Sequence, residues 1–387
     1  MSVSHYDAMV LGGGTMGSAA AWALAKRGLR TVVFEQFGHV HDQGSHGGKT
    51  RIIRHAYAEG EAYVPLVQRA DELWRQLETL SGQRLLVRTG GVELAAPGFR
   101  HARAARQSAE IHGLPHEWLT PEETRHRWPA WTIPDDWDVL YSPDAGYLLT
   151  ERSLRAMGAA AISLGAEMRE HAAVTDWGAT DSDAWVTTGN ETVSADLLVI
   201  TAGAWAASLL AEIGLQLTPL RKVLWWLAVD QPDRFTPDRF PVFISDSPHG
   251  EIYGFPVDGG AGLKIANHAG GEPTTPTGVD RTIRPGEEAD VVGLARDLLP
   301  GVTDRVVESA VCLYTMTPDG HFIVDRHPRW PHVVIGAGFS GHGFKFATAI
   351  GETLAFLAVD PRQAPIPHFA IDRFNTTSAT PVERVST

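Results

Sequence analysis

Near the N-terminus lies a run of glycines whose spacing suits the binding of a dinucleotide. Gly12, Gly14 and Gly17 follow the apolar segment YDAMVL and precede SAAAWALAK, a run of small, helix-forming residues. In such a motif the first glycine permits a tight turn, the second lets a pyrophosphate approach the backbone, and the third allows close helix–strand packing. The helix then offers free N–H groups and positive potential to the phosphates. Glu35 follows the next apolar segment, TVVF, where a carboxylate can hold a ribose 2′-hydroxyl.

A second glycine motif shows how little the spacing proves alone. Gly336, Gly338 and Gly341 repeat the pattern, but no strand ending in an acidic residue follows them before the chain ends. The first motif has the strand, the helix and the acid that the chemistry requires, so a purely structural glycine turn is the poorer explanation there. The motif indicates a dinucleotide with a free ribose hydroxyl and leaves open whether it is NAD or FAD.

The composition narrows the class of protein. The chain has 387 residues, of which 43% are hydrophobic and 20% are charged, as in ordinary globular proteins. The formal net charge of -13 disfavours nucleic acid as a partner, because the phosphate backbone would be repelled. Cys312 is the only cysteine, which excludes an intrachain disulfide and suits a reducing cytoplasm. We see no cleavable leader and no apolar run near the roughly 20 residues of a membrane span, so we expect a cytoplasmic protein without membrane contact.

The elements that must position these residues alternate between helix and strand. Residues 6–34 predict a strand, a turn, a helix over 18–26 and a second strand, which together form a βαβ unit. A helix with one buried face is predicted over 62–80, and it places Trp74 in the core rather than in a site. Further predictions are a helix near 151–164, strands near 184–200, a helix starting at 201–205, a strand at 333–335, a long helix over 341–358, and an antiparallel sheet from 86–97 and 221–257.

These predictions give an α/β fold class with discontinuous domains. We predict a Rossmann-like, dinucleotide-binding domain formed by residues 1–85, 151–220 and 310–387. Residues 86–150 and 221–309 would form an inserted substrate domain of α+β type, built on a mainly antiparallel β-sheet.

Five segments occur in the order that they have in one family of flavoenzymes. They are GSHGGKTRIIRHAY (44–57), YGFP (253–256), GLKIANH (262–268), AVCLYTMTPDGHFIVDRHP (310–328) and GAGFSGHGFKF (336–346). Together they resemble the monomeric sarcosine oxidases and the closely similar N-methyltryptophan oxidases, over nearly the whole chain. The resemblance implies a monomeric enzyme that binds FAD rather than NAD and oxidises a secondary amine bearing a carboxylate, with O2 as acceptor. For sarcosine the products would be glycine, formaldehyde and hydrogen peroxide.

The resemblance also implies roles for individual residues. Cys312 would attach the flavin covalently as a thioether, and Arg54 and Lys345 would bind the substrate carboxylate, as a guanidinium fork and an ammonium can. Ile244 would shape the substrate pocket. The implied catalytic residues are Lys264, Arg51, His268, Tyr253 and Tyr314. The implied cofactor contacts are Gly12, Gly14, Met16, Gly17, Glu35, Ser45, Thr50, Val174, Cys312, Gly338, Gly341, Gly343 and Lys345.

Four cations gathered in one cavity would have chemical consequences. These are Arg51, Arg54, Lys264 and Lys345. Only a neutral amine has the lone pair needed for oxidation at its adjacent carbon, and nearby positive charge lowers the pKa of a bound ammonium. The same field stabilises the negative charge that develops when the flavin is reduced and when oxygen takes up its first electron. No dedicated general base is required.

Three positions depart from the family pattern. The loop that usually reads SHHGDTR is SHGGKTR here, so Gly47 replaces a histidine and Lys49 replaces an aspartate. Ile244 stands where sarcosine oxidases often have methionine. These changes put the rate and the substrate range in question more than the reaction type.

We expect no metal centre. His39 and His41 form one histidine pair, and His321 and His327 form another around Asp325, but neither has carboxylate or cysteine partners at ligand spacing.

Three rival functions remain. The first is an N-methyl-L-tryptophan oxidase, or an oxidase of another bulky or cyclic secondary amino acid. A second, from another class, is a flavin- or nucleotide-binding sensor without turnover. An NAD-dependent dehydrogenase is weaker, because it would leave the position of Cys312 unexplained.

Overall fold

Two large β-sheets organise the chain in a computed structural model, which describes residues 4–260 and 262–374. The strands are β1 Ser4–Leu11, β2 Thr31–Phe34, β3 Thr50–Ile53, β4 Leu86–Arg88, β5 Gly91–Ala95, β6 Glu117–Leu119, β7 Asp138–Ser142, β8 Gly146–Leu149, β9 Glu167–Arg169, β10 Val174–Ala179, β11 Ala184–Thr188, β12 Glu191–Ile200, β13 Thr218–Val229, β14 Val242–Ser247, β15 Gly250–Phe255, β16 Leu263–Asn267, β17 Glu272–Pro273, β18 Val302–Met316, β19 Ile323–Arg326 and β20 Val333–Ala337. The helices are α1 Thr15–Ala25, α2 Val64–Ser81, α3 His101–Ile111, α4 Pro121–Arg127, α5 Thr150–Ser163, α6 Ala206–Leu209, α7 Ala289–Leu298 and α8 Ala347–Val359. Short 3₁₀ helices cover Glu61–Tyr63, Gly203–Trp205, Ala211–Ile213, Pro232–Arg234, Phe344–Phe346, Pro367–Phe369 and Ile371–Phe374.

The first sheet has eight strands and a parallel centre. Strand β1 lies between β12 and β2 in parallel register, β20 adds to β12, and β9 adds to β2. The apolar runs of β1 and β2 are buried on both faces, as expected for parallel strands that helices cover. Helix α1 packs against α5 and α8 beside this sheet. The predicted βαβ unit and the α/β fold class are confirmed.

Helix α1 starts earlier than predicted. It begins at Thr15 rather than at Ser18, so Gly17 lies in the first turn. A side chain at position 17 would place its Cβ 1.8 Å from the carbonyl oxygen of Gly12, and only glycine permits this approach. A second close contact joins α1 to α8, since a Cβ at Gly351 would lie 2.4 Å from the backbone of Ala19. Glycine and alanine thus let the helices pack tightly at the start of the predicted dinucleotide-binding unit.

The second sheet has nine strands and is mainly antiparallel. Its order is β17-β13-β16-β15-β14-β5-β7-β6, with β18 paired to β13 along most of its length. The β5–β14 pair is parallel. A third sheet has three strands, in the order β3-β8-β4, and carries Arg51 on β3.

Two predicted helices differ from the structure at the edge of the site. The last helix starts at Ala347 rather than at Gly341, because Ser340 and Gly341 have φ angles of 45° and 81°, which a right-handed helix does not allow. The segment predicted to start a helix at 201–205 forms only a 3₁₀ turn and the short α6. Trp74 lies in the core as predicted. Helices α3, α4 and α7 were not predicted.

The two large sheets draw on different parts of the chain. The first takes its strands from residues 4–34, 167–200 and 323–337, within the predicted cofactor domain. The second takes most of its strands from the predicted substrate domain, although β13 and β18 extend across the limits set at residues 220 and 310. The two-domain division remains our proposal. Within residues 4–260 and 262–374, no helix has the length and apolarity needed to cross a bilayer.

Candidate active site

A cavity of about 300 Å³ opens beside the glycine motif. Its walls come from the carboxyl ends of β1 and β2, the loop before β3, the segment after β12, strand β18 and the loop before α8. This edge of a parallel sheet is where α/β proteins bind nucleotides. The predicted cofactor residues in its lining are Gly12, Gly14, Met16, Glu35, Ser45, Val174, Gly341 and Gly343, together with Arg51 and Tyr314.

The glycine motif forms a cradle for an anion at the start of α1. Gly12 has a φ of 96°, and a Cβ there would lie 2.6 Å from the carbonyl oxygen of Thr201. A Cβ at Gly14 would meet no atom within 4 Å, so this position faces open space in the cavity wall. Helix α1 has neither a side-chain cap nor an acidic residue in its first turn. Its first N–H groups therefore remain available to a phosphate, and the residues fit a dinucleotide.

Glu35 lies at the position predicted for the ribose contact and is already held by the backbone. Its oxygens accept hydrogen bonds from the N–H groups of Gly13 and Phe37, both at 2.9 Å. Burial alone would raise the pKa of Glu35, but His41, 3.5 Å away, and these backbone bonds lower it. The carboxylate therefore stays ionised and fixed, with acceptor capacity left for a hydroxyl.

A second cavity of about 60 Å³ adjoins the first. The two share Arg51, Tyr314, Gly341 and Phe344, so a ligand in the small cavity would lie next to one in the large cavity. All the predicted substrate-binding residues line it. The lining consists of Arg51, Ile52, Arg54, Glu59, Ile244, Glu251, Tyr253, His268, Tyr314, Gly341, His342, Phe344 and Lys345.

Arg54 is paired with a carboxylate that the sequence analysis did not single out. Its Nη2 donates to both Glu59 oxygens, at 2.8 and 2.6 Å, and its Nη1 donates to the carbonyl of Ala56 at 2.9 Å. Glu93 lies 3.8 Å from the guanidinium on another side. Burial would raise the pKa of Glu59, yet Arg54 holds it well below its usual value. The predicted carboxylate-binding arginine thus already holds an internal carboxylate.

Lys345 is buried and contributes to the lining of the same cavity. Its Nζ donates to the hydroxyl of Tyr57 at 3.1 Å and to the carbonyl of His342 at 3.0 Å. Burial and the nearby Arg54 lower the pKa of Lys345 to about 7. Burial likewise lowers the pKa of His342 to about 3, so this ring is neutral. An anionic ligand would favour the charged form of Lys345.

Two tyrosines and a histidine form the aromatic wall of the small cavity. The hydroxyl of Tyr314 lies 3.5 Å from the hydroxyl of Tyr253 and 3.5 Å from Nδ1 of His268. Burial lowers the pKa of His268 to about 4 and raises the pKa of Tyr253 to about 12. The wall therefore offers neutral hydrogen-bonding groups near pH 7.

Lys264 lies behind the cavities and anchors the loop that precedes β3. Its Nζ donates to the carbonyls of Gly48 and Thr50, at 2.5 and 2.8 Å, and to the Thr50 hydroxyl at 3.1 Å. Arg51 braces the same loop, donating to the carbonyls of Ser45 and Gly47 at 2.7 and 2.6 Å. Burial and then the Arg51 charge lower the pKa of Lys264 well below its usual value. In this structure Lys264 thus positions the loop.

Cys312 is fully buried on the face of β18 that carries Tyr314. It packs in a cluster with Leu224, Trp226 and Ala266. Residues 313–315, which follow it directly, line the large cavity. The thiol therefore lies beside the wall of that cavity.

The predicted residues differ in how directly they reach the cavities. Gly17 and Gly338 pack against protein, since a Cβ at Gly338 would lie 2.4 Å from the side chain of Thr317. Thr50, Lys264 and Cys312 also stand outside both linings.

Carboxylates are what the sequence analysis missed. Glu59 and Glu251 line the small cavity, so it is not purely basic. Two loop residues depart from the family pattern, Lys49 and Gly47. Lys49 forms an ion pair with Glu308, and a Cβ at Gly47 would meet only Asp42 atoms, at 3.8 Å or more. Among the described residues, no three His, Cys, Asp or Glu side chains are grouped as a metal site would require.

Comparison with known proteins gives consistent matches. The family described as FAD dependent oxidoreductase matches residues 7–357. The chain is 37% identical over 377 residues to a monomeric sarcosine oxidase of Bacillus sp. (strain B-0618), covering 96% of each chain. It is 36% identical over 374 residues to an N-methyl-L-tryptophan oxidase of Yersinia pestis (strain Pestoides F), covering 95% of this chain and 99% of the relative.

Solved structures show the same fold at lower identity. NikD, described as an unusual amino acid oxidase essential for nikkomycin biosynthesis, has a TM-score of 0.83 at 24% identity and covers 95% of this chain and 98% of its own. L-proline dehydrogenase from P. horikoshii has a TM-score of 0.83 at 23% identity, with coverage of 97% and 99%.

Proposed function

This chain belongs to the family of FAD-dependent oxidoreductases, as its full-length likeness to sarcosine and N-methyl-L-tryptophan oxidases requires, and from that premise we propose that it oxidises a small secondary amino acid with O2. For sarcosine, the balanced reaction is sarcosine, O2 and water giving glycine, formaldehyde and hydrogen peroxide. The observation that carries the proposal is the small cavity of cations and tyrosines directly adjoining the dinucleotide cavity.

The large cavity would hold FAD. We assign its phosphates to the start of α1 at Gly14 and Met16, and its ribose to Glu35, because these groups supply the N–H donors and the acceptor that those parts need. Cys312, beside the cavity wall, is our proposed site of covalent attachment. When bound, FAD supplies two-electron oxidation of the substrate and passes the electrons to oxygen.

The substrate carboxylate would bind between Arg54 and Lys345. Guanidinium and ammonium groups are the usual partners of a carboxylate, and both line the small cavity. Because the Nη2 of Arg54 donates to both Glu59 oxygens, the incoming carboxylate would compete with the Glu59 carboxylate for the guanidinium. Its charge would also favour the ammonium form of Lys345.

The reacting amine would lie against the aromatic wall as the free base. His268 is neutral near pH 7 and adds no charge, while the positive charge of Arg51 disfavours a bound ammonium. The tyrosine hydroxyls of Tyr253 and Tyr314 can each donate a hydrogen bond or accept one. These groups orient the amine and keep its lone pair available, so no side chain has to remove a proton from carbon.

The size of the small cavity favours a short substrate. A volume of about 60 Å³ has room for roughly four to six water molecules. Sarcosine, with six non-hydrogen atoms, suits such a space better than an indole side chain does. An N-methyl-L-tryptophan oxidase remains the second candidate, since relatives of that name match as completely.

A substrate panel tests the proposal. Purified holoenzyme would be assayed for hydrogen peroxide with sarcosine, N-methyl-L-alanine, L-proline and N-methyl-L-tryptophan at equal concentrations. We expect the highest kcat/KM among the short N-methyl amino acids. A higher value for N-methyl-L-tryptophan would transfer the assignment to the second candidate, and absence of peroxide with every amine would refute the proposed function.

A further inference from the structure

Glu251 is a wall residue of the small cavity that the proposed reaction does not use. It lies on β15 two residues before Tyr253, so both side chains project from the same face of the sheet. Its backbone carbonyl accepts the N–H of His268 at 2.7 Å, which places the two residues side by side. The side chain remains 24% exposed at this lining position. A carboxylate therefore forms part of the surface that a substrate would meet.

The neighbouring carboxylates already have ionic partners. Glu59 binds Arg54 through two hydrogen bonds, and Glu93 lies 2.8 Å from Nε2 of His101. Glu251 has a weaker ionic partner, because Nδ1 of the same His101 lies 3.8 Å from its carboxylate, within ion-pair range but beyond hydrogen-bond distance. Within residues 4–260 and 262–374, its carboxylate makes no side-chain hydrogen bond.

Lys222, whose charge acts on Glu251, has other hydrogen-bond partners. Lys222, which contributes to the field at Glu251, donates its Nζ to the carbonyls of His268, Ala269 and Gly270 at 3.0, 2.7 and 3.1 Å. A carboxylate in a confined cavity is costly without a hydrogen-bonding partner. Burial correspondingly raises the pKa of Glu251. A positive group on a ligand would supply the missing partner.

The strand register places Glu251 next to Tyr253 on the same face of β15. Phe255 pairs with Lys264 and Tyr253 with Ala266, so Glu251 is the next same-face residue along β15, away from Lys264. Successive same-face residues are roughly 7 Å apart along a strand. Glu251 thus lies about that distance beyond Tyr253, within reach of a short side chain on a ligand held against Tyr253.

We propose that Glu251 determines specificity by binding a cationic side group, so that, among secondary amino acids of equal size, those with a short cationic side chain are preferred. This inference rests on the proposed function for the oxidation itself. The binding step stands separately, because Glu251 would select the cationic group whether or not the amine is oxidised.

The test compares two ligands of nearly equal shape. L-2,4-diaminobutyrate and L-norvaline differ in one ammonium in place of a methyl group, and their Kd values would be measured from the visible absorption of the holoenzyme. We expect the wild type to bind the diamino acid at least tenfold more tightly, and Glu251→Gln to lose most of that preference. The matched control is Asp246→Asn, because Asp246 pairs with Glu251 across the strands and is not in the cavity lining. It should keep the ratio within twofold.

Kinetic measurements complete the test. The derivatives of both ligands methylated on the α-amine should show the same ratio in kcat/KM. Glu251→Ile should reverse this preference in favour of the apolar ligand. Equal Kd values in the wild type, or an unchanged ratio in both Glu251 variants, would overturn the inference. Discrimination in Kd without oxidation of any secondary amine would support the role of Glu251 in binding, while refuting the proposed function and the substrate assignment.

Discussion

Replacing Glu59 by glutamine should tighten the binding of a simple carboxylate. Glu59 accepts hydrogen bonds of 2.8 and 2.6 Å from Nη2 of Arg54, so a substrate carboxylate would compete with it for the guanidinium. Glutamine keeps the size of the side chain and removes its charge. The competition for Arg54 therefore weakens while the surrounding packing is preserved.

The structure sets the size of this effect. A hydrogen bond to a charged group contributes about 1.5–3 kcal/mol to stability. The lower value applies here, because 28% of the Glu59 side chain is exposed and water screens the pair. Glu93, 3.8 Å from the guanidinium, stays in place and also limits the gain. A gain of about 1.4 kcal/mol corresponds to a Kd roughly tenfold lower.

The assay is a titration of purified holoenzyme with acetate, followed by its visible absorption. Glu59→Gln should bind acetate about tenfold more tightly than the wild type. Glu61→Gln is the control, since Glu61 is an exposed glutamate two residues away that takes no part in the pair. Arg54→Ala should weaken binding in either background. Unchanged or weaker binding in Glu59→Gln would refute the reasoning, because Glu59 would then support the anion site.

Three further predictions concern the cofactor, the loop and the pH dependence of stability. Yellow colour should remain in the washed acid precipitate of the wild type and be lost from that of Cys312→Ala; colour released from the wild type would exclude the covalent bond. Lys264→Met should slow reoxidation by O2 far more than anaerobic reduction by substrate, and equal slowing of both half-reactions would exclude a role of Lys264 with oxygen. The same change should lower the free energy of unfolding by about 1–3 kcal/mol, because the carbonyl groups of Gly48 and Thr50 lose their hydrogen-bond donor. Burial lowers the pKa of His46 and of His342 to about 3, so the unfolded chain binds more protons than the folded chain below pH 6.5. Stability to urea should therefore fall as the pH drops from 6.5 towards 4, by about 2 kcal/mol per histidine at pH 5, and a flat profile in the apoprotein would contradict this.

The cofactor half of the site was predictable because its signals are local. Gly12, Gly14 and Glu35 lie within one βαβ unit, and the spacing of such a unit fixes their relative positions. The helix start was misplaced because glycine usually marks a turn, whereas Gly17 serves helix–strand packing inside α1. At Gly341 the error was the reverse, because the helix was predicted to start there too early. The φ angle of 81° at Gly341 keeps this residue in a loop.

The substrate half depends on contacts between distant segments. Glu59 and Glu251 look like surface charges in sequence, and only the folded chain brings them into one cavity. The resemblance to known oxidases predicted a role for the cations Arg54 and Lys345, which do line the small cavity, but it gave no signal for the carboxylate that pairs with Arg54. The contacts of Lys264 were equally unpredictable. Its ammonium group donates hydrogen bonds to a loop more than two hundred residues earlier in the chain, and no local sequence pattern indicates such a contact.

The anchoring of this loop by Lys264 also bears on how the protein matures. During synthesis the glycine motif and residues 45–51 emerge long before β16, so the early chain has the phosphate cradle without the lysine that fixes the neighbouring loop. Strand β18, with Cys312, and the segment ending at Lys345 arrive later still. The walls of the large cavity can therefore be completed only after these last segments have been synthesised. Stable flavin incorporation should follow completion of the chain rather than accompany the folding of its first third.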